Sequence, residues 1–180
     1  MWTRFRDFAR RPGEERVAIL EALALLAAAR AALAFVPFRH IARALWQEGR
    51  ETPRAPPADA QRATVRLVVG AIEAAARHSP WQARCLGRAM AATVMLRRRG
   101  LEATMYLGLR SIRTRDAHAW VRSGDVYVCG GDGSGYTAVG VFGLLARQRM
   151  PDSLHQAYDG ATGNAGPPDL PGGDDNPRDT

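Results

Sequence analysis

The chain contains no lysine. All 25 of its basic side chains are arginines, a replacement explained more simply by genomic base composition than by function. The absence has one chemical consequence. Gly130 to Gly135 is glycine-rich, but it lacks the Lys-Ser/Thr pair of a phosphate-cradling loop and opens no clear helix, so ATP binding is not supported. Cysteine is almost as scarce. Cys85 and Cys129 are the only two, too few for a disulfide framework, and a reduced, cytoplasmic setting is the default expectation. His40, His78 and His155 have no Cys, Asp or Glu partner at metal-ligand spacing, so no metal and no other cofactor is expected. Aromatic residues make up 7%, and neither a zinc-finger spacing nor a basic motif interleaved with aromatics occurs. The net charge of +7 therefore points to acidic partners in general, not to nucleic acid. No secretory signal is read at the start, because Met1 to Arg16 is charged and broken by Pro12-Gly13, and the apolar run begins too late.

What is present is enough for one ordinary domain. The 180 residues are 46% apolar, which excludes wholesale disorder and allows a real core. Val17 to Val36 is rich in Ala and Leu and predicts a long helix stopped by Pro37. It approaches the length of a membrane span, but Glu21 and Arg30 are costly at depth. The reading is a buried or partner-facing helix, with peripheral membrane contact as the second option. Arg39 to Gln47 predicts a second helix. Three prolines in the segment Glu51 to Ala58 mark a linker. The expected organisation is an N-terminal helical arm over 1–50, a linker over 51–59, a core over 60–150 and a disordered tail over 151–180, which is rich in Gly, Pro and Asp.

Within the core, Ala60 to Arg77 and Cys85 to Arg99 carry helical apolar spacing, and Gly100 is placed to cap the second helix. The period then changes. Ala103 to Leu109, Ala117 to Arg122, Val126 to Cys129 and Tyr136 to Phe142 read as strands, with Gly124-Asp125 as a hairpin turn. Helices followed by an antiparallel meander make an α+β fold, and Gly143 to Met150 is expected to close it as a short helix.

The chemistry rests on position. Cys85 falls in the first turn of its predicted helix, where unpaired backbone N–H groups and the helix dipole favour a thiolate. A packed apolar role competes with that reading for any single cysteine. His118 lies in Asp116-Ala117-His118-Ala119-Trp120-Val121, where alternation puts His118, Trp120 and Arg122 on one strand face. A strand histidine beside an aromatic that excludes water suits a general base. A helix-start cysteine followed by a strand histidine is the papain-like layout. Cys129, mid-strand, reads as a packed side chain. Gln82, in the turn before Cys85, is a candidate oxyanion donor.

Three motifs, in order, carry a resemblance. Cys85-Leu86-Gly87-Arg88-Ala89-Met90-Ala91, Leu96-Arg97-Arg98-Arg99-Gly100 and Ala117-His118-Ala119-Trp120-Val121 resemble the B2-type leader peptidases of lasso peptide biosynthesis. The segment Phe35-Val36-Pro37-Phe38-Arg39 also resembles the start of such proteins. The resemblance implies a transglutaminase-like cysteine protease core with Cys85 as nucleophile and His118 as base, and Trp120, beside the histidine, is the candidate substrate-binding residue. It also implies an Asp after the histidine. Asp132 is favoured for that place, Asp125 sits in the presumed hairpin turn, and Asp116 precedes the histidine on its own strand. The implied partners are a precursor peptide, a separate leader-recognition protein and a macrolactam synthetase. A transglutaminase-like acyl transferase and a non-catalytic peptide-binding scaffold are the alternatives.

Overall fold

The computed structural model describes residues 11–111 and 116–144, and the tail expected over 151–180 lies outside the described residues. Four helices and five strands form in this span. Helix α1 is Gly13–Phe35, α2 Phe38–Leu45, α3 Asp59–His78 and α4 Cys85–Arg98. The strands are β1 Gln47–Glu48, β2 Ala103–Ser111, β3 Asp116–Ser123, β4 Val126–Cys129 and β5 Thr137–Leu144.

The helix ends follow from local chemistry. Pro37 has no N–H to continue the ladder, and α1 finishes with the Val36 N–H donating to the Ala32 carbonyl at 2.8 Å. α4 ends in a left-handed turn at Gly100, whose φ is +68°. The Leu101 N–H returns to the Leu96 carbonyl at 3.0 Å and the Gly100 N–H to Arg97 at 3.1 Å, so two otherwise orphaned carbonyls are satisfied.

All strand pairs are antiparallel, in the order β1-β5-β2-β3-β4. Three expectations change here. β5 does not extend a meander beside β4; it returns to pair with β2, with Met105 opposite Phe142. The expected closing helix does not begin at Gly143, because Gly143 and Leu144 are strand residues paired with Thr104 and Ala103. Its remaining part, 145–150, lies outside the described residues. The second predicted helix stops at Leu45, and Gln47–Glu48 instead forms an edge strand on β5.

One sheet face is apolar. Ala103 and Met105 of β2, Ala119 and Val121 of β3, and Phe142 and Leu144 of β5 pack with Val65, Val68 and Ile72 of α3 and Met95 and Leu96 of α4. Helix α1 lies on α3 and α4 and buries Ala18, Ile19, Ala22, Leu26 and Ala29. The inner face of α1 thus belongs to the same core cluster.

The opposite face is polar and is crossed by the proline-rich segment. Arg122, 1% exposed, holds it there. Its Nε donates to the Tyr106 hydroxyl at 2.9 Å, and Nη1 donates to the carbonyls of Pro53 (3.2 Å) and Gly124 (3.0 Å). Nη2 donates to Glu51 (2.8 Å) and to the Thr52 carbonyl (2.7 Å). All five guanidinium N–H groups are used. Hydrogen bonds from Tyr106 and then Arg122 hold the Glu51 carboxyl below its usual range.

Candidate active site

Cys85 is the first residue of α4 and is partly exposed. The residue before it, Arg84, is in extended conformation and makes no side-chain capping bond. Its guanidinium carries donors only, so it has no acceptor to offer the first-turn amides. No acidic residue occupies that turn either, so the positive end of the helix is left for another anion. Ser79 and Trp81 set the approach: the Ser79 hydroxyl donates to the Trp81 carbonyl at 2.5 Å and to Ala76 at 3.3 Å. Trp81 packs against the core, while Gln82 is exposed and makes no hydrogen bond among the described residues. As placed, Gln82 does not face the thiol through any such bond.

His118 pairs with Gly108 across β2–β3 and shares its face with Trp120 and Arg122, whereas Ala119 and Val121 turn to the helices. Its ring lies 4.9 Å from Tyr136 and 6.1 Å from Trp120, centroid to centroid. The Nε2 of His118 is 2.8 Å from the Gly130 carbonyl oxygen. A carbonyl only accepts, so Nε2 carries the proton and Nδ1 keeps its lone pair. That is the tautomer a general base requires, with the acceptor supplied by backbone instead of a carboxylate.

The glycines around this point are there for Trp120, which is 6% exposed. A Cβ on Gly133, whose φ is +77°, would lie 2.5 Å from the indole, and one on Gly108 would lie 2.7 Å from it. The indole fits between strand β2 and the loop after β4 only because Gly108 and Gly133 lack side chains. Trp120 also stacks on Tyr106 at 5.4 Å, and with so little exposure it serves as the floor beneath His118.

The three candidate acids lie apart from the histidine's hydrogen bonds. Asp132 is exposed and accepts from the Ser134 N–H at 2.9 Å and from the Ser134 hydroxyl. Those bonds hold its carboxyl below the usual range and describe a turn-forming aspartate. Asp125, in the Gly124-Asp125 hairpin turn, pairs with Arg62 at 3.3 Å. Asp116 accepts from the Tyr136 hydroxyl at 3.2 Å and pairs with Arg110 at 3.6 Å. Asp116 therefore touches the histidine's surroundings through Tyr136, a residue that sequence reasoning had assigned only to a strand.

The neighbours of Cys85 and of His118 meet at the end of β4, where Cys129 and Gly130 are consecutive. A bulge at Val128 lets Cys129 pair with Val121, which puts Cys129 on the helix side, where it is influenced by Cys85 and Arg88. The next residue, Gly130, holds His118. His118 lies on the sheet face away from the helices, Cys85 heads a helix packed on the other face, and no hydrogen bond joins them among the described residues. Burial pushes the Cys129 thiol up to about 12, so at neutral pH it is a packed, protonated group and a poor nucleophile. Among the described residues no cluster of His, Cys, Asp or Glu is arranged to hold a metal.

A family model described as the transglutaminase-like superfamily matches residues 22–143. No curated protein and no solved structure matches the chain. The match begins inside α1 and ends inside β5, and so takes in Cys85, His118 and Asp132 together.

Proposed function

Because the chain belongs to the transglutaminase-like superfamily, whose core serves both cysteine peptidases and acyl transferases, we propose that it is a cysteine peptidase that removes the leader from a ribosomally made precursor peptide. The observation that carries the reading is Cys85 at the uncapped start of α4, with no acid in its first turn. The thiol gives its proton to His118 Nδ1 and attacks the scissile carbonyl. First-turn amides of α4 receive the developing oxyanion. The imidazolium then protonates the leaving amine, and water frees the acyl group and regenerates the thiol. The cysteine and histidine are not hydrogen-bonded among the described residues and stand on opposite faces of the sheet, so this proton transfer requires the end of β4 to bring them together. The Gly130 carbonyl keeps the ring in its basic tautomer meanwhile. Asp132 enters only if the 130–135 turn rearranges to exchange Ser134 for the ring.

The order of the three motifs supports a substrate among lasso precursor peptides, with a separate recognition protein presenting the leader and a macrolactam synthetase using the freed amine. The test combines the chain with a leader-recognition protein and a lasso precursor peptide, read by mass spectrometry. Hydrolysis yields two fragments whose masses sum to precursor plus one water. A product of increased mass, carrying an added amine, identifies an acyl transferase instead. An intact precursor under all conditions contradicts both.

A further inference from the structure

Helix α1 has a second apolar face that the fold leaves uncovered. Val17 is 66% exposed, Leu20 55% and Phe35 86%, and the exposed alanines Ala24, Ala27, Ala28 and Ala31 lie between them. Positions 17, 20, 24, 28, 31 and 35 recur at helical spacing and form one continuous stripe about 27 Å long. Beside it, between α1, α2 and α4, opens an apolar groove of about 350 Å³ whose walls include Ala28, Ala32, Val36, Ile41, Leu45 and Val94.

Cations border this apolar surface. Arg16 and Arg30 are exposed on α1, along the edge of the stripe away from the groove, and Arg39 and Arg43 are exposed on α2 beyond the groove. None of these four makes an ion pair among the described residues. The nearby acids are largely engaged: Glu15 pairs with Arg11 at 3.1 Å, and Glu21 with Arg98 at 3.0 Å and Arg99 at 2.7 Å. Aromatic and aliphatic side chains bordered by unpaired arginines match the interface of an anionic bilayer.

We propose that this stripe and groove dock the protein onto an anionic lipid surface, with α1 lying in the interface plane and Phe35 inserted below the headgroups. The helix is long and apolar enough to cross a membrane by length and composition, but its inner face argues for lying on the surface. Ala18, Ala22 and Leu26 are buried in the core, and Glu21 is tied to two arginines of α4 and its C-terminal turn. Spanning would strip α1 from α3 and α4 and leave a carboxylate in hydrocarbon. Lying flat breaks none of these contacts.

The test is co-sedimentation of the full chain with vesicles of phosphatidylcholine alone and of phosphatidylcholine with phosphatidylglycerol. Binding is expected to the anionic vesicles and to weaken as salt rises. A Leu20→Ser/Phe35→Ser variant, altered only at exposed positions, is expected to lower the partition coefficient about tenfold or more, and Arg39→Gln/Arg43→Gln to reduce it severalfold. Circular dichroism checks that each variant keeps the parent fold. Absence of binding, equal binding to neutral vesicles, or binding unchanged in the serine variant overturns the proposal. So does a dimer of the parent in solution that the serine variant abolishes without any vesicle binding, since a second copy would then be the occupant.

Discussion

A Cys85→Ala variant is expected to lose at least about a thousandfold in precursor cleavage while melting at the temperature of the parent. The size follows from the mechanism: without the thiol, only binding and oxyanion stabilisation remain, and removing the nucleophile in comparable sites costs on the order of 10⁴–10⁶ in turnover. The unchanged stability follows from the position. Cys85 is partly exposed and is the first residue of α4, where alanine is well tolerated and leaves little cavity. Intact-mass analysis of the precursor gives the first value and thermal denaturation the second. A variant that unfolds loses activity for an uninformative reason, so the two are measured on one preparation. Full cleavage by well-folded Cys85→Ala protein rules out a thiol nucleophile.

Arg122→Met is expected to be the most damaging single change to the fold, at about 3–5 kcal/mol in chemical denaturation. The guanidinium is 1% exposed and saturates its five donors on Glu51, Thr52, Pro53, Gly124 and Tyr106. Removing it leaves three buried or half-buried carbonyls, a phenol and a carboxylate short of partners, and frees the proline-rich segment from the sheet. Part of the network depends on pH. The Glu51 carboxyl is held below its usual range by Tyr106 and Arg122, so its stabilisation is present above the unfolded carboxylate range and is lost as pH falls through the lower, folded value. Its side chain is 46% exposed, so solvent screening keeps that share small. The parent should therefore lose more stability than Arg122→Met on acidification. An arginine contributing less than about 1 kcal/mol would mean that the strap is held by packing alone.

Much of the architecture was legible in local residue patterns. Pro37, Gly100 and Gly124-Asp125 marked an end, a cap and a turn that the structure retains, because each acts through the backbone of its own neighbourhood. The change of apolar period after Gly100 separated helices from strands. The return of β5 to β2 was not legible, since four strands of similar composition carry no record of which neighbours they take. Nor was the covered polar face: a lone Arg122 reads as solvated until the chain brings Glu51 and the Pro53 carbonyl to it. At the site, Cys85 and His118 stood out by residue type and spacing. The Gly130 carbonyl did not, because a backbone acceptor has no letter in the sequence. Tyr136 was visible as a letter, but only the β2–β3 and β2–β5 pairings bring it beside the histidine and within reach of Asp116.

The central claim is that the Cys85 thiol is activated by His118, and it can be measured without knowing the substrate. The rate of iodoacetamide modification is followed against pH in the parent and in His118→Ala, with the modified residue assigned by peptide mapping. Modification confined to Cys85 is expected, since Cys129 stays protonated well above neutrality. In the neutral range the parent should react about tenfold or more faster than His118→Ala, and the two profiles should meet at alkaline pH, where a free thiol ionises unaided. Superimposable profiles, or modification at Cys129 in place of Cys85, would contradict the account.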